Sequence, residues 1–318
     1  MKGNPDRNAM GNEDDPTPEE ATAERPPAHC FTHGAMNTLF QVFISLPDRE
    51  YARQAAKRAF RRLDGLEQEL SRFVENSDVS RLCQAEVGER VILGESTVEC
   101  LQLANRAYLE TGGAFDVTLG SGMESILLDP ENMAAEILAP GLRLDFGAIG
   151  KGYAIDCLAE EFLDWEIRRF LVHGGQSSVL ALDPPEKEQG WGLRLSWPAD
   201  PPRELLRMEA SHIVFSGSGL EKGGHIINPR TGNPLQGKRA VWVWADRETP
   251  APGPEEEMQA TDALLPGNAA MMDALSTAFM VMPPEEIAAF HRRHPRIRIL
   301  AAREASAGSE PVLHRFGL

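Results

Sequence analysis

Asp273 and Thr277 stand four residues apart in the segment MMDALSTAFMVM, so a helix would place both on one face. The rest of that segment is apolar. A carboxylate and a hydroxyl inside an apolar helix are costly to bury unless they are paired or bind a metal. Both are hard oxygen donors, which suits Mg²⁺ rather than zinc. The spacing leaves a second reading open, in which the aspartate caps a neighbouring loop and the threonine bonds its own helix.

Four glycine-punctuated segments supply the other chemistry-bearing residues: GGAFDVTLG (112–120), LDFGAIGKGYAID (144–156), LVHGGQSSV (171–179) and SGSGLEKGGHIINPRTGNPL (216–235). Glycines let a backbone approach a ligand closely. In the second segment Asp145 precedes a glycine turn, and Lys151 falls where a helix should begin. A helix N-terminus with a lysine beside it is a ready anion site, although a surface lysine on a connection would look the same. In the fourth, His225 directly precedes INPRTG, whose Pro-Arg-Thr-Gly run is a turn signal. A histidine fixed beside a forced turn suits a general base; a half-buried structural histidine is the competing reading.

These residues need a scaffold. TLFQVFISL (38–46) alternates Phe40, Val42, Ile44 and Leu46, a strand pattern ended by Pro47 and Asp48. Ala52, Ala56, Ala59, Leu63, Leu66, Leu70 and Phe73 recur at three- and four-residue spacing, which predicts an amphipathic helix. Ser96 with Glu99 reads as a capping box opening a second helix, closed by Gly112 and Gly113. A third helix is predicted over 151–165 and a fourth over 271–282, the latter ended by Pro283 and Pro284. Strands are predicted at 170–173 and 178–182 around a Gly-Gly turn, in GLRLSW, HIVF and AVWVWA, and at 297–301. The polar, Pro-rich stretch 246–268 reads as a long exposed loop. Strands and helices do not alternate regularly, so the pattern predicts an α+β fold rather than a doubly wound one.

The chain has 318 residues, a formal charge of −16 and four cysteines. The acidic balance argues against general nucleic-acid binding, which needs a basic footprint. It leaves room for an anionic nucleotide held by a metal and by backbone N–H groups. Cys30, Cys83, Cys100 and Cys157 form no CxxC pair and read as scattered thiols. No run of about 18 apolar residues suggests a membrane span. Residues 1–28 are acidic and Pro-rich, lack an apolar signal core and read as a disordered tail before a single domain over 29–318. A cytoplasmic location is the expectation.

In order along the chain, Met36-Asn37-Thr38, FDVT, LDFGAIGKGYAID, Gly174-Gly175, SGSG, HIINPRTG and DALSTA resemble the ApbE-type family of FAD:protein FMN transferases. The resemblance runs from about Met36 to Met282. It implies mixed or antiparallel sheets flanked by helices, with a flavin-nucleotide cleft between two lobes. Residue by residue, it implies FAD contacts from Asp145 and Lys151, a flavin-site methionine in Met36 and an aromatic against the flavin or adenine in Phe73. Phe115, Asp116 and Thr118 match the family's FDxT segment of the nucleotide pocket. Ile226 lines the cofactor site, and His225 matches the general base. Ala148 would ligate Mg²⁺ through its carbonyl, Asp273 and Thr277 through their side chains.

The implied reaction is Mg²⁺-dependent transfer of FMN from FAD to a Thr or Ser hydroxyl of an acceptor flavoprotein, with AMP leaving. If water enters instead, the site is an FAD pyrophosphatase; without catalysis, it is an FAD-binding protein. The chain departs from the family after FDVT, where GSGMESILLDPENMAAEILAPG is short, and between SGSG and HIINPRTG, which is abbreviated. Asn228 stands where the family has Asp, Met36-Asn37-Thr38 replaces Met-Gly-Thr, and 246–268 is longer than usual. Many relatives are exported, whereas no leader or lipobox is visible here.

Overall fold

A computed structural model describes residues 28–175, 177–199, 202–220, 226–247, 267–306 and 308–318. Nearly all of the acidic tail, and most of the 246–268 loop, lie outside them.

Strands β1 (His29–Ala35) and β2 (Thr38–Ile44) open the fold as a hairpin. Its two turn residues, Met36 and Asn37, have φ of 50° and 56°. Two successive left-handed residues match the right-handed twist of the flanking strands. The chain then runs through α1 (Arg49–Leu70), α2 (Asp78–Gln84), β3 (Arg90–Ile92), α3 (Glu95–Glu110), β4 (Ile126–Asp129), β5 (Ala134–Ile137) and α4 (Gly150–Asp164). It returns as β6 (Phe170–Gly174) and β7 (Ser178–Ala181), then makes a separate hairpin of β8 (Trp191–Trp197) and β9 (Arg203–Ala210). Next come β10 (Ile213–Leu220), β11 (Arg239–Asp246), α5 (Ala269–Val281), α6 (Pro284–Arg293), β12 (Arg298–Glu304) and β13 (Pro311–Phe316).

Among the described residues the main sheet has eight strands, in the order β1-β2-β6-β7-β10-β11-β12-β13. Every pairing in it is antiparallel. Strands β3, β5 and β4 form a small separate sheet. Successive side chains alternate across the main sheet, and both faces are covered. Phe40, Val42, Ile44, Val172, Leu180, Val214 and Val241 pack with the helices in one core. Leu171, Val179, Phe215, Trp242 and Trp244 pack against the β8–β9 hairpin, which contributes Trp191, Leu195 and Trp197 to a second core. Gly174 sits opposite Phe40 in the register, and a Cβ there would come within 2.8 Å of the Phe40 ring. A larger residue at 174 would therefore have to displace the Phe40 ring.

Helix α1 is capped by Asp48, whose side chain accepts from the backbone of Glu50 and Tyr51. It buries the predicted stripe from Ala52 to Leu70 but ends there, so Phe73 lies beyond it and is 82% exposed. The capping box at Ser96 and Glu99 does not form. Helix α3 begins two residues earlier, with Gly94 at its N-cap and no side-chain cap. Ser96 instead accepts from Arg62 at 3.1 Å, and Glu99 accepts from the Tyr153 hydroxyl. Tertiary partners at the α1 and α4 interfaces outcompete the local cap. Pro283 and Pro284 end α5 as predicted, but Pro284 also opens α6, where its missing N–H is no loss.

Helices α4 and α5 meet almost backbone to backbone. A Cβ on Gly152 would sit 2.2 Å from the carbonyl oxygen of Ala269. At the same crossing Asp156 caps α5, accepting from the backbone N–H groups of Ala269 at 3.0 Å and Ala270 at 2.9 Å. Arg247 donates to the same carboxylate at 3.0 Å. Burial pushes the Asp156 carboxyl upward, opposed by the Arg247 guanidinium and those two N–H groups. Among the described residues no helix is long and apolar enough to cross a membrane.

Gly152→Ala should force α4 and α5 apart. Because the obstacle is main chain, relief by rotamer change is closed, and the cost should reach the upper part of the ~1–3 kcal/mol typical of overpacking. A urea midpoint equal to that of the wild type would contradict this crossing.

Candidate functional site

The loop entering α4 is held in a tight turn. Asp145 donates its N–H to Val117 O at 2.8 Å, and its Oδ1 accepts from Gly147 N at 2.8 Å. The N–H groups of Ile149 and Gly150 both return to Phe146 O, at 3.0 and 2.7 Å. This turn aims the N-terminus of α4 into a cavity and sets Lys151 on its edge. The Lys151 Nζ donates to Gly147 O at 2.9 Å and lies 3.6 Å from Asp273 Oδ2.

Two hollows flank this loop. The first, about 620 Å³, is lined by Phe115, Asp116, Asp145, Ala148, Lys151, Ser218, Ile226, Asp273 and Thr277, among others. The second, about 600 Å³, is lined by Met36, Leu70, Arg72, Phe73, Asp145, Phe146 and Lys151, among others. Asp145, Gly147 and Lys151 line both, so the loop is a ridge between two adjoining compartments. Volumes of this size hold a ligand of drug or cofactor dimensions.

The far wall of the first hollow comes from α5 and β10, with Ser177 just before β7. Asp273 is only 3% exposed. Its Oδ1 accepts from Ser178 Oγ at 3.3 Å and Ser216 Oγ at 3.1 Å, and its Oδ2 accepts from Gly152 N at 3.2 Å. A buried carboxylate is tolerable when its oxygens are satisfied in this way. Thr277, one turn along the same helix, reaches Ser218 Oγ at 3.2 Å. Among the described residues no three His, Cys, Asp or Glu side chains gather as a metal cluster. On the α5 wall one carboxylate stands beside hydroxyl oxygens, a donor set for a hard cation that keeps waters or ligand phosphates as its other partners.

The second hollow carries Phe73 on its wall. The exposed ring of Phe73 is covered on one side by Arg72, whose guanidinium carbon lies 4.6 Å from the ring centre. The Nε of Arg72 is 3.2 Å from Asp145 Oδ2, tying the end of α1 to the ridge.

Most of the residues expected at the site, some from type and spacing and the others from the resemblance alone, therefore lie close together. Met36 and Phe73 line one compartment; Phe115, Asp116, Ala148, Ile226, Asp273 and Thr277 line the other; Asp145 and Lys151 belong to both. Thr118 is fully buried behind the wall rather than on it. It donates to Asp116 Oδ1 through its N–H at 2.7 Å and its hydroxyl at 2.5 Å, fixing that carboxylate. His225 lies outside the described residues. Its neighbour Ile226 is on the cavity wall. The Asn228 side chain accepts from Arg230 N at 3.0 Å, an oxygen contact that Asp would make equally. Arg230 in turn anchors this turn to Thr111 O, Gly112 O and Glu286.

The sequence reading missed Gly152, Asp156, Ser178, Ser216 and Ser218. Gly152 lies within LDFGAIGKGYAID and Asp156 ends it, while Ser216 and Ser218 alternate with the glycines of SGSG, so motif position was the signal available.

Comparison with known proteins agrees with this arrangement. The family model described as "ApbE family" matches residues 36–136 and 121–254. The FAD:protein FMN transferase of Vibrio cholerae is 22% identical over 260 residues, 69% of this chain and 77% of that protein. The enzyme of the same name from Salmonella typhimurium is 22% identical over 268 residues, 70% of this chain and 75% of that protein. Among solved structures, the flavin transferase ApbE from Vibrio cholerae superposes with a TM-score of 0.74 at 19% identity, covering 91% of this chain and 97% of that one. The apo form of the Pseudomonas stutzeri flavinyl transferase ApbE also gives 0.74, at 20% identity, covering 91% and 94%. With the motifs in order, the same fold and a family model spanning most of the described core, the chain belongs to the ApbE family.

Proposed function

We propose that this chain transfers FMN from FAD to a Thr or Ser hydroxyl of an acceptor flavoprotein, in a Mg²⁺-dependent reaction that releases AMP. The observation that carries the reading is the convergence of Asp273, Thr277, Ala148 and Lys151 on one cavity that adjoins an aromatic-lipped second hollow. Two compartments joined at a lysine-bearing helix N-terminus suit a dinucleotide, whose two ring systems are linked by a diphosphate. The names of the relatives in Vibrio cholerae and Salmonella typhimurium support the same activity.

The residues divide the work by chemistry. Lys151 and the N-terminus of α4 hold phosphate oxygens and stabilise charge that builds on them in the transition state. Asp273 and Thr277, with the Ala148 carbonyl, are the oxygens that fit Mg²⁺, which when bound neutralises the diphosphate and polarises the attacked phosphorus. Asp145 and Asp116 orient the nucleotide through hydrogen bonds. Phe73 and Met36 offer apolar surface to a ring. His225, assigned by family resemblance, takes the proton of the acceptor hydroxyl as its oxygen bonds to phosphorus and the bond to AMP breaks.

The purified chain, given FAD, Mg²⁺ and a flavoprotein acceptor, should yield covalent flavin on the acceptor and stoichiometric AMP. AMP without acceptor labelling would make it a pyrophosphatase; bound FAD with no AMP would make it a binding protein. His225→Ala should lower the kcat of AMP release by roughly 10²- to 10⁴-fold, the range for losing a general base. Asp273→Asn should lower it by about 10²- to 10³-fold, as for loss of one transition-state electrostatic contact. An Asp273→Asn variant of undiminished kcat would remove this residue from the reaction.

Phe73→Ala separates binding from folding. The ring is largely in solvent, so stability should stay within about 0.5 kcal/mol of the wild type. FAD affinity should fall by the ~1–3 kcal/mol that a base loses with its aromatic partner. Titration of flavin fluorescence reads this, and unchanged FAD affinity would exclude ring stacking on Phe73.

A further inference from the structure

A hydroxyl carries one proton and two lone pairs. Thr277 can therefore present lone pairs to a cation only if its proton points elsewhere. Three neighbouring groups decide where. Ser276 Oγ donates to the main-chain oxygen of Asp273 at 2.9 Å, which uses its only proton. The 2.8 Å contact between Ser276 and Ser218 hydroxyls must then be donated by Ser218. With that proton spent, the 3.2 Å contact between Ser218 and Thr277 must be donated by Thr277. A carbonyl cannot donate, so the direction of the whole row is fixed from its far end.

The neighbouring carboxylate is oriented by the same kind of logic. Ser178 and Ser216 donate to Oδ1 of Asp273, leaving Oδ2 beside Gly152 N–H and Lys151 at the cavity. Both cavity-facing oxygens are thus set by neighbouring serines.

We infer that Ser218 and Ser276 form a one-way hydroxyl relay that turns the lone pairs of Thr277 toward the cavity and so strengthens its hold on a divalent cation. Ser218 is a positioning residue acting through Thr277, and Ser276 acts through Ser218. The inference rests on the metal-dependent reading of the site given above. It concerns binding of the ion, so it is tested without FAD turnover.

The probe is Mn²⁺, whose free concentration is read by electron paramagnetic resonance over the full chain. Ser218→Ala removes the acceptor for the Thr277 proton and should weaken Mn²⁺ binding by about 10- to 100-fold, the range for outer partners of metal ligands. Ser276→Ala leaves Ser218 free to donate back to Thr277. It should weaken binding by a smaller factor, below the roughly 10-fold lower end of that range, although Ser276 is fully buried. Ser218→Thr keeps the hydroxyl and should bind within about threefold of the wild type. Thermal unfolding of each variant shows whether it is folded. If Ser218→Ala does not fold, Ser276→Ala, an alanine placed in a helix, still decides the matter.

Folded Ser218→Ala and Ser276→Ala variants with wild-type Mn²⁺ affinity would overturn the relay. An effect of Ser218→Ala alone, with Ser276→Ala unchanged, would also overturn it, leaving only a direct contact. A wild-type chain that holds no Mn²⁺ at millimolar concentration is a different result, which overturns the metal-dependent reading itself.

Discussion

The structure depends on the crossing of α4 and α5 at Gly152. That contact brings two remote stretches of chain within hydrogen-bond reach, so that Gly152 N–H meets the Asp273 carboxylate and Asp156 meets the first N–H groups of α5. Everything chemical in the cavity is referred to it. Lys151 and Asp145 are placed by α4 and the loop before it, Asp273 and Thr277 by α5. A larger residue at 152 would not only cost packing energy; it would move one half of the site against the other. Displacements of about 1 Å from groups far from the chemistry are enough to cost large factors in rate.

Much of the scaffold was legible because its signals are local. The alternation of Phe40, Val42 and Ile44 marks β2, and the small-residue stripe from Ala52 to Leu70 marks α1. The spacing of Asp273 and Thr277 holds because α5 is a regular helix capped by Asn268. Other signals were local but overruled. Phe73 continues the α1 spacing, yet Ser71 is extended and ends the helix first. Ser96 and Glu99 have the residue types of a cap and use them on Arg62 and Tyr153 instead.

The rest was hidden for physical reasons. RELLRMEA is rich in helix formers but is β9, because pairing with β8 across the second core outweighs its propensity. Strands β3, β4 and β5 are too short to show a period. The serines around Asp273 come from β7 and β10, and no spacing rule links them to α5. Fold and motif-borne residues could be read from sequence, whereas the groups that orient those residues appear only once the sheet and helices are assembled.

The β8–β9 hairpin has a bearing on the cavity although it lies on the opposite side of the sheet. It covers the face that would otherwise be wet, so β7 and β10 are interior strands shielded above and below. Backbone in such a position opens only when the whole sheet does. The cavity consequently has one leaf of paired strand and packed helix, where Ser218 faces it and Ser178 and Ser216 hold Asp273 from behind, and one built of turns around Leu119 and Gly147. Turns hold fewer partners than a paired strand does, so the side of the cavity with room to adjust is the one opposite the oxygens of α5.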